Sequence, residues 1–144
     1  MASLVELLQA VIDRDFGGVK GGQNSRVQVM FVHVGAGDQV ADAMRAHPRI
    51  NGMLVATEPR TFQAFGVAAA SAADAARATA LAPYVARVVE IRGSVTTAVK
   101  RFANPPEVVV FCEAEQDDEV AVVRSAYPRA RIVCPCDDGF QLIV

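Results

Sequence analysis

The segment HVGAGD at residues 33–38 follows a strongly apolar run, and its glycines could expose backbone amides to a ligand. Glycine lets the chain turn sharply and lets a bound group approach bare peptide nitrogens. Glu58 lies 21 residues beyond Gly37, at the end of a second apolar run. This is about the separation at which a carboxylate accepts hydrogen bonds from both hydroxyls of a bound ribose. The spacing predicts a nucleotide-cofactor pocket formed by Gly35, Ala36, Gly37 and Glu58.

The same glycines also have a simpler interpretation. A G-x-G segment after a strand occurs in ordinary tight turns, and the third glycine of the dinucleotide fingerprint is missing from this segment. Both interpretations stay open on Gly35 and Gly37 alone, and the position of Glu58 favours the cofactor pocket.

A dense acidic cluster follows a later apolar run. Such carboxylates could act as a general base or bind a divalent metal ion. The competing interpretation places residues 117–119 in the first turn of a helix, where negative charge interacts favourably with the helix dipole. We predict no metal site, and Glu113 is the candidate catalytic residue. The cluster comprises Glu113, Glu115, Asp117, Asp118 and Glu119.

Three cysteines and two histidines do not form a recognisable metal or redox motif. A structural zinc site needs four ligands, usually in two C-x-x-C-like pairs, whereas residues 134–136 read C-P-C and Cys112 stands alone. We interpret the cysteines as buried residues at strand ends. An odd number of cysteines fits a reducing compartment better than a disulfide framework, so we expect a cytoplasmic protein. His33 is interpreted as a hydrogen-bonded structural residue rather than a base.

Residues 27–136 resemble Rossmann-like S-adenosylmethionine-dependent methyltransferases, in particular the FkbM-type group. That group shows a strand, G-x-G, a helix, and a second strand that ends in Glu-Pro before a helix with an aromatic residue. Gly35, Gly37, Glu58, Pro59 and Phe62 match this pattern. The resemblance implies that the cofactor is S-adenosylmethionine, with the two glycines at its methionine end and the Glu-Pro pair at its ribose.

The same resemblance assigns further residues and also shows departures. Ser94 stands where many methyltransferases place an Asp that contacts the adenine amino group, and Glu113 or Glu115 would lie near the methyl acceptor. His33 replaces the usual acid before G-x-G, and Phe111 replaces an acid of the FkbM-type strand. The chain also leaves no room for the last two strands of a complete methyltransferase. These departures point to a truncated or degenerate relative, and they leave an active enzyme and a non-catalytic cofactor-binding domain both open.

Alternating apolar runs and helical patterns predict an α/β fold. Runs such as VQVMFVHV and EVVVFC are nearly continuous in apolar residues, which is typical of strands covered on both faces by helices. We therefore predict a three-layer, doubly wound, mostly parallel Rossmann-like sheet of about five strands in the order 3-2-1-4-5. The predicted strands are 26–34, 50–57, 85–91, 107–112 and 130–134, with a last short strand at 140–144. The predicted helices are 38–46 with an Asp38 cap, a stretch from Thr61 to before Pro83 with a break at Ser71, 95–102 and 117–127.

The first 16 residues predict an extra amphipathic helix that begins with the capping box Ser3-x-x-Glu6. Residues 17–25 are a glycine-rich linker, and residues 26–144 form the Rossmann-like domain. A helix with an apolar stripe on a glycine tether suggests an alternative function. In that alternative the chain is a non-catalytic interaction or assembly module that forms a homodimer or docks on a larger protein partner through this helix.

Charge and hydropathy exclude two classes of partner. The net charge of −2 and the scattered basic residues argue against nucleic acid as a main partner. The N-terminal segment has neither the early positive charge of a secretory signal nor the length of a membrane span, so no membrane association is expected.

Overall fold

The computed structural model describes residues 3–16, 26–56, 67–102, 104–114 and 117–143. The predicted linker at 17–25 and the predicted site residues Glu58 and Pro59 lie outside the described residues. In chain order the elements are α1 (Leu4–Phe16), β1 (Val27–Val32), α2 (Asp38–Ala46), β2 (Ile50–Ala56), α3 (Val67–Leu81), a 3-10 helix (Ala82–Arg87), β3 (Val88–Arg92), α4 (Val95–Arg101), β4 (Val108–Phe111), α5 (Asp117–Ala126), β5 (Arg131–Cys136) and β6 (Gly139–Ile143).

Six strands form one sheet in the order β3-β2-β1-β4-β5-β6. The strands β1 to β5 run parallel to one another, and β6 pairs antiparallel with β5. This confirms the predicted doubly wound order, and the sixth strand matches the last short strand that was predicted near the end of the chain. Because β1 pairs with both β2 and β4, the direction of winding reverses at β1.

Helices cover both faces of the sheet, which completes the three predicted layers. Val29 and Phe31 of β1 pack with residues of α1, α2 and α3, whereas Met30 and Val32 pack with residues of α4 and α5. Side chains alternate between the faces of a strand, so a strand buried on both sides must be apolar at nearly every position. Full burial of each such side chain stabilises the fold by about 1.5–3 kcal/mol.

The helix α1 belongs to the same core as the sheet. Its predicted capping box is present, because the Glu6 amide donates to Ser3 Oγ at 3.2 Å and the Ser3 amide donates to Glu6 Oε2 at 3.4 Å. Its apolar residues are buried within the chain itself, so a partner that used them would first have to displace the helix. These residues are Leu4, Leu8, Val11 and Ile12.

Three local predictions were wrong. Gly37, not Asp38, is the N-cap residue of α2, and no side chain caps that helix. The helix α3 runs through Ser71 without the predicted break, as expected for a stretch rich in alanine. Residues 85–87 form the end of a 3-10 helix instead of the start of β3.

The 3-10 helix has a clear physical cause. Pro83 lies in its first turn, where a missing amide hydrogen and a fixed φ are tolerated. The Arg87 guanidinium then donates to three carbonyls around the end of α2 and the start of β2, and these contacts fix the turn. No helix among the described residues is long and apolar enough to span a bilayer.

Candidate functional site

The turn at residues 33–37, called here the glycine turn, leaves the sheet at the carboxyl edge, the edge formed by the C-terminal ends of the parallel strands. Gly35 has φ +54° and Gly37 has φ +84°, both in the left-handed region that favours glycine. The Gly37 amide donates to the Val34 carbonyl at 2.9 Å, which closes the turn before α2 begins. The turn therefore lies at the point where the winding reverses, the usual place for a ligand in such sheets.

Glu113 lies beside the glycine turn, as expected from the adjacency of β1 and β4. The Cys112 amide donates to the Val32 carbonyl at 2.8 Å, which continues the pairing of the two strands to their ends. A Cβ atom built on Gly35 would lie 3.7 Å from Glu113 Oε1. The exposed Glu113 carboxylate thus faces the same space as the partly exposed backbone of Gly35 and Ala36.

Ser94 caps the helix α4. Its Oγ atom accepts a hydrogen bond from the Thr97 amide at 3.2 Å, and its backbone is extended as in an ordinary N-cap. This contact gives Ser94 a structural role, and its predicted contact with adenine stays a prediction. The predicted roles of Glu58 and Pro59 also stay predictions, because both residues lie outside the described part of the chain.

A buried arginine that the sequence analysis did not identify contacts the glycine turn. Arg77 of α3 is only 5% exposed. Its Nη1 donates to the Gly35 carbonyl at 2.7 Å, its Nε donates to Glu90 Oε1 at 2.9 Å, and its Nη2 donates to Asp74 Oδ1 at 2.6 Å. Its Cγ would lie 3.0 Å from a Cβ atom on Gly37. One side chain therefore ties α3 to β3 and to the turn.

An ion pair at the rim extends this network. Arg92 of β3 binds the second oxygen of Asp74. The hydrogen bonds from Arg92 and then Arg77 lower the pKa of Asp74, so its carboxylate is charged at neutral pH. The helix α3 is thus held against β3 by two arginines that flank one carboxylate.

His33 and Glu119 form a second polar pair at the carboxyl edge. His33 Nε2 lies 2.9 Å from Glu119 Oε2 and 3.0 Å from Glu119 Oε1, and both side chains are largely buried. The His33 ring packs near Phe111, with ring centroids 6.3 Å apart. His33 has φ +59°, an uncommon backbone conformation for a residue other than glycine. Glu119 therefore places a carboxylate beside His33, the residue that stands where the family resemblance implies an acid.

No disulfide links the three cysteines, and they are mostly buried, as predicted. Burial, with a smaller effect from the charge of Glu113, raises the pKa of Cys112 to about 12, so its thiol is protonated and a poor nucleophile at neutral pH. Cys134 is buried and Cys136 is partly exposed. In the part of the chain that the structure describes, no group of three or more His, Cys, Asp or Glu residues could hold a metal ion.

No protein-family model matches the chain, and no curated protein matches it in sequence. Solved structures do match. A putative caffeoyl-CoA O-methyltransferase from Staphylococcus aureus aligns with a TM-score of 0.62 at 9% identity over 93% of this chain and 57% of its own. An SAH-bound methyltransferase from Podospora anserina aligns with a TM-score of 0.61 at 12% identity over 93% of this chain and 53% of its own.

A third matching structure belongs to an enzyme with a different printed activity. The spermidine synthase from Thermotoga maritima aligns with a TM-score of 0.54 at 12% identity over 78% of this chain and 37% of its own. The chain thus has the Rossmann-like fold found in S-adenosylmethionine-dependent methyltransferases, and it spans between about a third and about three fifths of the three proteins it matches here. Proteins of one fold can perform different reactions, so the function must be argued from the site.

Proposed function

We propose that the chain is a small S-adenosylmethionine-binding, methyltransferase-like domain whose cofactor lies against the glycine turn. The observation that carries this proposal is the pair of left-handed glycines where β1 leaves the sheet between β2 and β4. A turn of this kind offers backbone amides at the place where doubly wound sheets bind nucleotides. The shared fold with an SAH-bound methyltransferase supports the choice of cofactor.

The charges around the turn fit the positive end of such a cofactor. S-adenosylmethionine carries an ammonium and a sulfonium group at its methionine end. The Glu113 carboxylate faces Gly35, and Glu119 lies beside His33 at the start of the turn. In this proposal Glu119 compensates for the acid that His33 replaces, Glu113 stays available to the methyl acceptor, and Glu58 accepts hydrogen bonds from the ribose hydroxyls.

The cofactor would supply an electrophilic methyl group, and the protein would contribute mainly position and exclusion of water. Glu113 is the candidate catalytic residue, because its exposed carboxylate beside the turn could accept the proton of an acceptor hydroxyl.

Calorimetric titration with S-adenosylmethionine and with SAH tests the proposal. We expect binding by the wild-type chain and at least tenfold weaker binding by Glu58→Gln, since a charge-assisted hydrogen bond contributes about 1.5–3 kcal/mol. Asp13→Asn is the matched control, because it removes one exposed carboxylate from α1, away from the glycine turn. The absence of heat at millimolar concentrations of both ligands would contradict the proposal.

One observation favours the alternative of a non-catalytic module. Arg77 takes one lone pair of the Gly35 carbonyl, while Asp74 and Glu90 neutralise its charge, so this carbonyl has less capacity to accept a hydrogen bond from a cofactor ammonium group. In this alternative the scaffold is kept for assembly or for docking on a partner. Sedimentation velocity of the full chain, with and without S-adenosylmethionine, distinguishes the two. A stable dimer that does not respond to the cofactor supports the alternative, and a monomer that binds the cofactor contradicts it.

A further inference from the structure

Four arginines line a cavity of about 400 Å³ at the edge of the sheet opposite the glycine turn. Arg14 lies in the last turn of α1 and Arg124 in the last turn of α5, while Arg129 and Arg131 lie where the chain enters β5. These residues are far apart in the sequence and meet only in the fold. Their cavity, called here the arginine cavity, lies at the amino edge, where the parallel strands begin.

The lining of the arginine cavity combines positive charge with apolar side chains at the edge of the sheet. Its apolar residues include Ile132, Leu142 and Ile143, and none of the described lining residues is acidic. The volume falls within the range of about 300–1,000 Å³ that is usual for small-molecule pockets. An anionic group bound by the arginines and an apolar body beside these side chains would satisfy both parts of the lining.

The helix dipoles explain only half of this cluster. Cations in the last turn of a helix interact favourably with its dipole, which accounts for Arg14 and Arg124. Arg129 and Arg131 do not lie in the last turn of a helix, so a helix dipole does not account for them. Arg131 Nη1 donates to the Arg129 carbonyl at 3.1 Å, which holds these two residues together. Four like charges around one cavity repel one another, and a bound anion would relieve that repulsion.

The arginines already interact within the chain, and a ligand would add to those contacts. Arg14, Arg124 and Arg131 each take part in other interactions. A guanidinium has five N–H donors in a fixed planar arrangement, so one partner does not saturate it. A phosphate group, with up to two negative charges and several acceptor oxygens, can receive hydrogen bonds from more than one such group at once.

We propose that the arginine cavity binds a small molecule that carries a phosphate group on an apolar body. The site is separate from the proposed cofactor site, because the glycine turn follows the C-terminal end of β1 while Arg131 is the first residue of the parallel strand β5. Either proposal can therefore fail without the other.

Titration with phenyl phosphate in 0.15 M NaCl, followed by calorimetry, tests the proposal. We expect phenyl phosphate to bind more tightly than inorganic phosphate, benzoate or phenol, because only phenyl phosphate combines the phosphate group with an apolar ring. The paired substitution Arg129→Gln with Arg131→Gln should weaken binding at least tenfold. Arg45→Gln is the control, because it removes one highly exposed arginine from α2.

A second variant keeps the test possible if the paired variant does not fold. If the paired variant does not unfold cooperatively on heating, Arg14→Gln on the exposed side of α1 replaces it, with the same expected direction. Equal affinity of wild type and variants would overturn the proposal. Binding that is detected only below 0.15 M NaCl would also overturn it, since that indicates an adventitious ion only. Tighter binding of a short RNA than of phenyl phosphate would also overturn it.

Discussion

Gly35 and Gly37 share a left-handed backbone but have different neighbours. An alanine in this conformation costs about 1–2 kcal/mol. At Gly35 the new Cβ atom would make an ordinary contact of 3.7 Å with Glu113, whereas at Gly37 it would lie 3.0 Å from Arg77 Cγ. We predict that Gly37→Ala lowers the free energy of unfolding more than Gly35→Ala does, as measured by urea denaturation. An equal or larger loss for Gly35→Ala would show that the close approach of Arg77 Cγ to Gly37 does not determine the difference.

The three cysteines should differ in reactivity because they differ in exposure. Cys112 and Cys134 are buried, and Cys136 is partly exposed. Burial also raises the pKa of Cys112 to about 12, which keeps its thiol protonated. We predict that a thiol reagent at pH 8 labels Cys136 fastest in the native protein, and that urea makes all three equally reactive. Peptide mapping by mass spectrometry identifies the labelled residue, and rapid native labelling of Cys112 would contradict the prediction.

The helix α3 is attached to the sheet by polar contacts of unequal strength. Removal of a buried hydrogen-bonding group that leaves its partner unsatisfied costs about 1–3 kcal/mol, whereas an exposed ion pair contributes about 0–1 kcal/mol. The Arg77 side chain is 6% exposed and the Arg92 side chain is 61% exposed. We predict that Arg77→Met lowers the free energy of unfolding by about 1–3 kcal/mol, and Arg92→Met by under about 1 kcal/mol. Urea denaturation measures both, and equal losses would contradict this ranking.

Elements with a strong local signal were predicted well. The strands β1 and β4 are continuous apolar runs, and their burial on both faces follows from the helices that flank them. The wrong start of β3 has the opposite cause. Val85 is β-branched and apolar, yet it is 73% exposed in a 3-10 helix that is set by Pro83 and by the distant carbonyls that Arg87 contacts.

For the candidate site, the sequence predicted the order of the strands but not the contacts between side chains. The predicted adjacency of β1 and β4 is present, and it brings Glu113 to Gly35. Arg77 could not be found in this way, because an arginine in an alanine-rich helix is ordinarily exposed. Its burial depends on how α3 packs against β3, where Glu90 meets it. The pairing of His33 with Glu119 joins residues 86 positions apart and depends equally on packing.

Among the described residues, Cys112 and Tyr127 are buried weak acids that stay protonated at neutral pH, one on each side of the sheet. Cys112 belongs to the core beneath α1 and α2, and Tyr127 to the core beneath α4 and α5. Burial raises the pKa of both groups, to about 12 for Cys112. The Tyr127 hydroxyl also donates to the Phe102 carbonyl at 3.2 Å and needs its proton to do so. Both groups therefore favour the folded state only while they stay protonated.

Alkaline pH should destabilise the fold through these two groups. Above about pH 9 the unfolded chain loses the thiol proton while the folded chain keeps it, so the unfolded state binds fewer protons and stability falls as pH rises. One such group gives a slope of up to about 1.4 kcal/mol per pH unit. We predict that Cys112→Ala is less stable than wild type at pH 7 but loses stability less steeply between pH 9 and 11. Urea denaturation across this range measures the slope, with the more exposed Cys136→Ala as control; an unchanged slope in Cys112→Ala would show that the Cys112 proton is not linked to folding.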